Sequence, residues 1–228
     1  MRPVLRFAAC VLAPVLVLCG CGGSTKKVDP AADLALANAA SLTAADLSGY
    51  TATPYKNSGD IPGPVKTNFA KCLNTKSTIF DDTPGAQKVH SPDFKQGSAT
   101  VSGSIEIDPK RSDIDSGWNT LAKSGFERCM QQLFDAIFTA AMPSGATVGD
   151  TTVTKFDVGI GRRSLGVEAK TSISYRGRAF TSYIDFLMVA RDRAGIEIDT
   201  DQLNQPFNRA TEIALARTVY DRIGTKAN

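Results

Sequence analysis

Histidine is nearly absent from this chain, which has one histidine, His90, among its 228 residues. Cysteine is scarce too, with five residues, and no Cys-x-x-Cys pair occurs among them. Histidine is the commonest metal ligand and a frequent general base at neutral pH. The composition therefore disfavours a zinc centre and His-dependent catalysis, and we predict no metal site and no cofactor.

A strong charge of either sign is also missing. The chain has 26 Lys and Arg residues against 23 Asp and Glu residues, for a formal net charge of +3. It contains no basic run longer than two residues. Proteins that bind nucleic acid carry a basic patch or stripe that neutralises phosphates. We therefore expect no nucleic-acid partner.

The apolar run near the N-terminus is too short to span a membrane. It covers residues 7–18, and Pro14 interrupts it, whereas a transmembrane helix needs about 20 apolar residues. Arg2 and Arg6 precede the run and small residues follow it. This order of charged, apolar and small residues is typical of a secretory signal. We therefore predict a signal peptide over residues 1–20 and an extracytoplasmic mature chain.

The residues after the run are Leu18-Cys19-Gly20-Cys21. They resemble the lipobox of bacterial lipoproteins, in which Leu stands three residues before the modified cysteine and small residues fill the gap. Cys21 fits this pattern, whereas Cys19 would follow the bulky Leu18 directly. The resemblance covers about the first 21 residues. It implies that diacylglycerol is attached to the Cys21 thiol and that cleavage leaves Cys21 as the first residue.

A lipidated Cys21 would anchor the mature chain to the extracytoplasmic face of the cell membrane. Two or more acyl chains, at about 0.8 kcal/mol per buried methylene, hold a protein stably on a bilayer. Residues 21–28 follow as a Gly- and Ser-containing flexible tether. Residues 29–228 then form one extracytoplasmic domain. The chain also looks like small envelope lipoproteins of actinobacteria, mycobacteria included.

Two cysteines remain after Cys10, Cys19 and Cys21 are set aside, namely Cys72 and Cys129. An even pair in an exported chain favours a disulfide over two buried free thiols. Both residues fall on the apolar side of a helical pattern. We therefore predict a disulfide that joins two helices.

The pattern of apolar residues predicts an α+β fold. Strand-like alternation is clearest over residues 164–175, and short turns lead from there into the strands that follow, which indicates an antiparallel meander. We expect the helices to pack mainly on one face of this sheet. Gly125 should weaken or break the longest predicted helix, because glycine has a low helix propensity. The predicted helices cover residues 29–40, 64–73, 113–141 and 206–224, and the predicted strands cover residues 101–107, 164–175, 178–191 and 196–198.

Six arginines lie around the ends of the predicted hairpins. If the hairpins stack in register, these arginines form two basic rims that would meet acidic lipid, phosphate or an anionic polymer. The alternative is ordinary solvated turns. The six residues are Arg162, Arg163, Arg176, Arg178, Arg191 and Arg193.

No motif assigns catalysis. His90 has no Gly-x-Ser-x-Gly partner, and the glycine-rich residues 159–166 open a strand rather than a helix, unlike a phosphate-binding loop. Paired carboxylates such as Asp113 with Asp115, or Asp199 with Asp201, are the remaining candidates for an enzyme. Of these, Asp199 and Asp201 lie at a strand end, where a catalytic role would require a raised pKa.

We therefore expect a non-catalytic, lipid-anchored binding module for a ligand, an envelope component or a protein partner. Two alternatives stay open. One is a lipid carrier with an apolar cavity between the sheet and the helices, as in some mycobacterial envelope lipoproteins. The other is an envelope hydrolase that uses clustered carboxylates.

Overall fold

The computed structural model describes residues 28–56, 61–76 and 81–224. The predicted signal peptide, the lipobox cysteine Cys21 and residues 21–27 of the predicted tether lie outside these ranges. None of the helices in the described ranges combines the length and the apolar character that crossing a membrane requires.

The described residues form five helices and eight strands. The helices are α1 (Pro30–Ala40), α2 (Gly63–Cys72), α3 (Arg111–Leu121), α4 (Phe126–Ala141) and α5 (Arg209–Ile223). The strands are β1 (Thr51–Thr53), β2 (Gln87–His90), β3 (Asp93–Gln96), β4 (Ala99–Ile107), β5 (Ala146–Phe156), β6 (Arg163–Tyr175), β7 (Arg178–Arg191) and β8 (Ala194–Leu203).

Local signals in the sequence set the helix ends. The Asp29 carboxylate accepts hydrogen bonds from the amides of Ala31 and Ala32, which caps α1. The side chain of Asn208 accepts a hydrogen bond from the Thr211 amide and caps α5 in the same way. Gly125 has φ of 82°, a left-handed conformation that interrupts a helix. It separates α3 from α4, as its place in the long helical pattern predicted.

The strands form one antiparallel sheet in the order β1-β3-β4-β8-β7-β6-β5, with β2 also paired to β4. The predicted meander β6-β7-β8 is present, and β4 lies beside β8. Strand β5 was not predicted. Its pairing with β6 shifts between Val148 and Thr151, and such a bulge breaks the period-two alternation that identifies strands.

The predicted α+β fold, with an antiparallel sheet and helices packed against it, is confirmed. We expected the helices mainly on one face, whereas the structure has a helical layer on each face. Helices α1 and α5 pack against buried residues of β4, β7 and β8 such as Ile105, Leu187 and Ile198. Helices α2 and α4 pack against the opposite face, around Val167 and Met188. Both faces attract helices because β7 carries apolar residues of both parities, such as Leu187 and Met188.

The predicted Cys72–Cys129 disulfide is confirmed, with Cα atoms 5.7 Å apart. It joins the last residue of α2 to the first turn of α4, and Cys129 is fully buried. Lys123 Nζ donates to the carbonyl oxygens of Leu73 and Asn74, each at 3.0 Å, and so caps the end of α2. The disulfide and this cap hold α2 on α4.

The disulfide should contribute strongly to stability. It closes a loop over a sequence separation of 57 residues, for which the chain-entropy relation gives about 4 kcal/mol. We expect a Cys72→Ala/Cys129→Ala variant to lose about 2–5 kcal/mol of unfolding free energy in urea titrations. Reduced wild-type protein should lose a similar amount. Two reactive thiols in the unfolded, unreduced protein would contradict the assignment.

Candidate functional site

Strand β8 separates apolar from acidic side chains by simple alternation. Ile196 and Ile198 are buried in the core beneath α5. Glu197, Asp199 and Asp201 alternate with them and therefore lie on the opposite face of the sheet. Three carboxyl groups thus line one side of a strand at the middle of the sheet.

This opposite face divides into two halves at the boundary between β7 and β8. On β7, Met188 and Phe186 are paired with Glu197 and Asp199, respectively, and both belong to clusters that α4 covers. On the other side of the boundary, the side chains of β8, β4 and β2 are polar. We call this second area the polar half-face, and it consists of Lys88, His90, Ser102, Ser104, Glu106, Glu197, Asp199 and Asp201.

The polar half-face is partly open to solvent. Asp201, Lys88 and His90 are exposed, whereas Glu197 and Asp199 are half-buried. Asp199 Oδ1 is itself buried and has no hydrogen-bond partner among the described residues. An unpaired buried oxygen is costly. The surface therefore has an open side and a desolvated centre.

The centre of the polar half-face favours protonated carboxyl groups. Burial raises the pKa of Asp199 well above its ordinary value, and the neighbouring Glu197 raises it further by its charge and a hydrogen bond. Burial also raises the pKa of Glu197, although Lys88 opposes that rise. The pKa of Asp201 is raised by burial. Two adjacent carboxyl groups out of water cannot both ionise without cost, so Glu197 and Asp199 titrate as a pair.

Lys88 provides the positive charge of this surface. Its Nζ lies 3.8 Å from Glu106 Oε2 and 3.4 Å from Asp82 Oδ1. Burial lowers the pKa of Lys88, but the charges of Glu106 and Asp82 outweigh it and the net pKa is raised. Lys88 therefore stays charged, and the carboxyl groups of the polar half-face outnumber it.

An aromatic pair borders the polar half-face. The rings of Tyr55 and His90 are stacked, with centroids 4.1 Å apart and an interplanar angle of 6°. Burial and the charge of Lys88 lower the pKa of His90, so the imidazole is neutral at neutral pH. Both side chains are exposed. The stack thus offers a flat surface beside the carboxyl groups.

A second group of carboxyl groups lies on the other face, beneath α5. Glu168, Asp185 and Thr200 form a row of directly paired residues across β6, β7 and β8. Arg209 and Glu212 of α5 rest on this row. We call these five residues the α5 carboxyl network. Asp185 and Glu212 are 1% and 0% exposed, so these two carboxyl groups are closed to solvent, whereas Glu168 and Arg209 are partly exposed.

A groove of about 650 Å³ lies at the N-terminal end of α5. Its lining includes Tyr50, Gln202, Asn208, Arg209 and Thr211. These residues carry amide, hydroxyl, phenol and guanidinium groups, so the groove is not an apolar chamber. It shares Arg209 with the α5 carboxyl network.

The six arginines of the predicted rims differ in their surroundings. Arg163 pairs with Asp115, Arg193 pairs with Asp33 at 2.8 Å, and Arg191 donates to the Tyr220 carbonyl. The other three, Arg162, Arg176 and Arg178, are exposed. Half of the predicted rim is therefore engaged within the domain, and anion binding there stays a prediction.

The other sequence candidates have structural roles. Residues 159–162 form the connection between β5 and β6, where the Gly159 amide donates to Asp157 Oδ1 and Arg217 donates to the Gly159 carbonyl. Asp113 lies in the first turn of α3, where a carboxylate favours the helix dipole. Among the described residues, no three His, Cys, Asp or Glu side chains are grouped as a metal ion would need.

Sequence reasoning missed Lys88, Tyr55 and the whole α5 carboxyl network. The partners in that network are far apart in the chain, since Arg209 is 41 residues from Glu168 and 24 residues from Asp185. One local signal was present. Asp185 interrupts the apolar pattern of β7, and a carboxylate at such a position needs a partner.

Comparison with solved structures gives a distant likeness. No protein-family model matches the chain, and no curated protein matches it. Among solved structures, the chain is similar to the extracellular domain of PknH from Mycobacterium tuberculosis, at 12% identity and a TM-score of 0.46. The alignment covers 83% of this chain and 95% of that one.

The shifted carboxyl groups predict that mild acid stabilises the domain. Burial raises the pKa of Asp108 to about 6, and the pKa values of Asp199, Glu197 and Asp201 are also raised. The folded state binds these protons more tightly than the unfolded state does. Their contribution to the free energy of unfolding is therefore present at low pH and is lost as the pH rises through the pKa values of the folded state. His90 opposes this trend, since burial and the charge of Lys88 lower its pKa. Asp46, whose pKa is lowered by its hydrogen bond to Arg222, opposes it only in stronger acid.

We therefore expect a larger unfolding free energy at pH 5 than at pH 7.5 in urea titrations. Asp199→Asn should flatten this dependence, because the amide cannot ionise. The matched control is Asp150→Asn, at an exposed position on β5, and it should keep the wild-type slope. Equal stability of the wild-type protein at the two pH values would contradict the raised pKa values.

Proposed function

We propose that this protein is a lipid-anchored, extracytoplasmic binding module without catalytic activity, and that the polar half-face is its ligand site. The observation that carries the proposal is the partly open group of Glu106, Glu197, Asp199 and Asp201, which has a buried, unpaired oxygen at its centre. A ligand donor that reached Asp199 Oδ1 would satisfy that oxygen.

The chemistry of the polar half-face indicates a ligand that carries protonated amines. Its carboxyl groups outnumber the Lys88 ammonium, and a bound ammonium group would favour their ionised forms, so the surface can accept positive charge. Charge-assisted hydrogen bonds to carboxylates are stronger than neutral ones. The exposed Tyr55–His90 stack lies beside them and offers an aromatic surface that favours cations or the apolar side of a ring.

The anchor and the compartment rest on the sequence and on the disulfide. The lipobox resemblance at Cys21 supports membrane attachment through a covalent lipid. The Cys72–Cys129 disulfide supports an oxidising compartment, since disulfides persist there and are rare in the cytosol. Together they favour a location on the extracytoplasmic face of the cell membrane.

A hydrolase is the second candidate, because the pair of Glu197 and Asp199 has one specific feature of acid–base catalysis. Its two carboxyl groups are coupled and have raised pKa values, as in sites where one carboxyl holds the proton for the other. We favour binding because the sequence has no nucleophile motif. A lipid carrier is less favoured, because polar residues line the groove at α5.

The anchor is tested by two cysteine variants in the native host. Cys21→Ala should abolish acylation and release the protein from the membrane fraction, because the modified thiol is gone. Cys19→Ala is the matched control and should remain anchored. A Cys21→Ala protein that still carried acyl chains by mass spectrometry would contradict the assignment of Cys21.

The ligand site is tested by NMR titration of the mature domain with cadaverine, with 1,5-pentanediol as the uncharged control. We expect cadaverine to shift amide signals of β4 and β8 and the diol to shift them much less. Asp199→Asn and Asp201→Asn should each weaken cadaverine binding about tenfold, as the loss of one charge-assisted bond of about 1.5 kcal/mol predicts. Asp150→Asn should bind like the wild-type protein.

Two outcomes would overturn the proposal. Cadaverine shifts that lie away from the polar half-face would remove it as the ligand site. Turnover of an envelope glycan, ester or peptide that is lost in folded Asp199→Asn or Asp201→Asn would replace binding with hydrolysis.

A further inference from the structure

The α5 carboxyl network sets three carboxyl groups against one guanidinium group. Arg209 Nη2 lies 2.8 Å from Glu168 Oε2 and 3.5 Å from Asp185 Oδ1, and Arg209 Nε lies 3.4 Å from Glu212 Oε2. The guanidinium group also stacks on Phe156, with its Cζ 3.3 Å from the ring centroid. The network contains no second cation, so its charge does not balance if every carboxyl is ionised.

Asp185 and Glu212 cannot both be ionised at low cost in this position. Their side chains are closed to solvent, and Asp185 Oδ2 and Glu212 Oε2 are buried without a hydrogen-bond partner. The other Glu212 oxygen, Oε1, accepts a hydrogen bond of 2.6 Å from Thr200 Oγ1. A proton on Asp185 would halve the excess negative charge of the network and provide a donor for Glu212.

We propose that a proton on Asp185, held beside Glu212, is a latch that holds the first turn of α5 on the sheet, and that loss of this proton releases the turn. Asp185 is on β7, and Glu212 is in the first turn of α5. With the proton in place, the pair carries a single negative charge beside Arg209, and the protonated carboxyl can donate a hydrogen bond between strand and helix. Without it, two buried negative charges face each other across that interface.

The latch controls the groove at the N-terminal end of α5. Asn208, Arg209 and Thr211 line the groove on the helix side, and Tyr50 and Gln202 line it as well. Arg209 belongs both to the groove and to the α5 carboxyl network. Displacement of the first turn of α5 would therefore widen the groove. The latch is independent of the polar half-face, which lies on the opposite side of the sheet.

The charged groups that face the pair set the direction of the switch. Burial, followed by the hydrogen bond and charge of Glu212, raises the pKa of Asp185 to about 8. Arg209 opposes this rise and Glu168 adds to it. From β8 the facing group is the neutral Thr200 hydroxyl. Lys170, two residues beyond Glu168, is exposed and lies over the Tyr183 ring. The latch is therefore closed at neutral pH and opens as pH rises through about 8.

The test is amide hydrogen exchange of the mature domain between pH 5 and pH 10, corrected for the intrinsic exchange rate. As the pH rises toward about 8, each pH unit should increase the exchange of residues 205–215 up to about tenfold. The increase should level off above that pH, because opening releases a proton only while the closed state still holds one. Asp185→Asn should abolish this increase, since the amide is neutral and still donates to Glu212. Asp150→Asn is the control and should behave like the wild-type protein.

A second measurement keeps the proposal testable if Asp185→Asn fails to fold. The carboxyl carbon of Asp185 in wild-type protein, followed by ¹³C NMR, should have the chemical shift of a protonated carboxyl group at pH 7. An Asp185 side chain that is fully ionised at pH 7 would overturn the proposal. The same holds if the exchange of residues 205–215 has the same pH dependence in folded Asp185→Asn as in the wild-type protein.

Discussion

Glu212, in the first turn of α5, lies between this helix and the sheet, where its carboxyl group is removed from water. Thr200, Arg209 and Asp185 surround it. A buried carboxyl without such partners would cost several kcal/mol, which is a large part of the stability of an ordinary domain. The position of α5, and with it the core of Leu215, Val219 and Ile223, therefore depends on how this one group is satisfied.

Helix α5 in turn determines what β8 presents on its other side. The helix packs against the face of the sheet that carries Ile196 and Ile198. Period-two alternation then directs Glu197, Asp199 and Asp201 away from α5. Helix α4 covers the neighbouring strands β5, β6 and β7 and leaves the acidic side of β8 partly open. The polar half-face thus follows from the way two helical layers share one sheet.

Features with local signals were predictable from the sequence. The strand over residues 164–175 was found because its alternation is uninterrupted, and the break at Gly125 was found because glycine weakens a helix. Strand β5 was missed because its bulge shifts the alternation between Val148 and Thr151. The α5 carboxyl network was missed because its partners come together only when β6, β7 and α5 pack.

The arginines of the predicted rims also show that the sequence does not reveal which distant residues form ion pairs. A turn sequence indicates that Arg193 lies near a hairpin end, but its partner Asp33 is 160 residues away. The sequence therefore predicted a basic rim without the acidic partners that engage half of it. Asp199 and Asp201 were predicted to lie at a strand end, whereas they lie within β8, which extends to Leu203.

Carboxyl footprinting tests most directly whether β8 separates an open set of carboxyl groups from a closed one. Folded protein would be treated with a carbodiimide and an amine, and the modified residues would be located by mass spectrometry. Asp201 and Glu106 should react in the folded state, whereas Asp185 and Glu212 should react only after unfolding. Modification of Asp185 or Glu212 in folded protein at the rate of Asp201 would contradict this division.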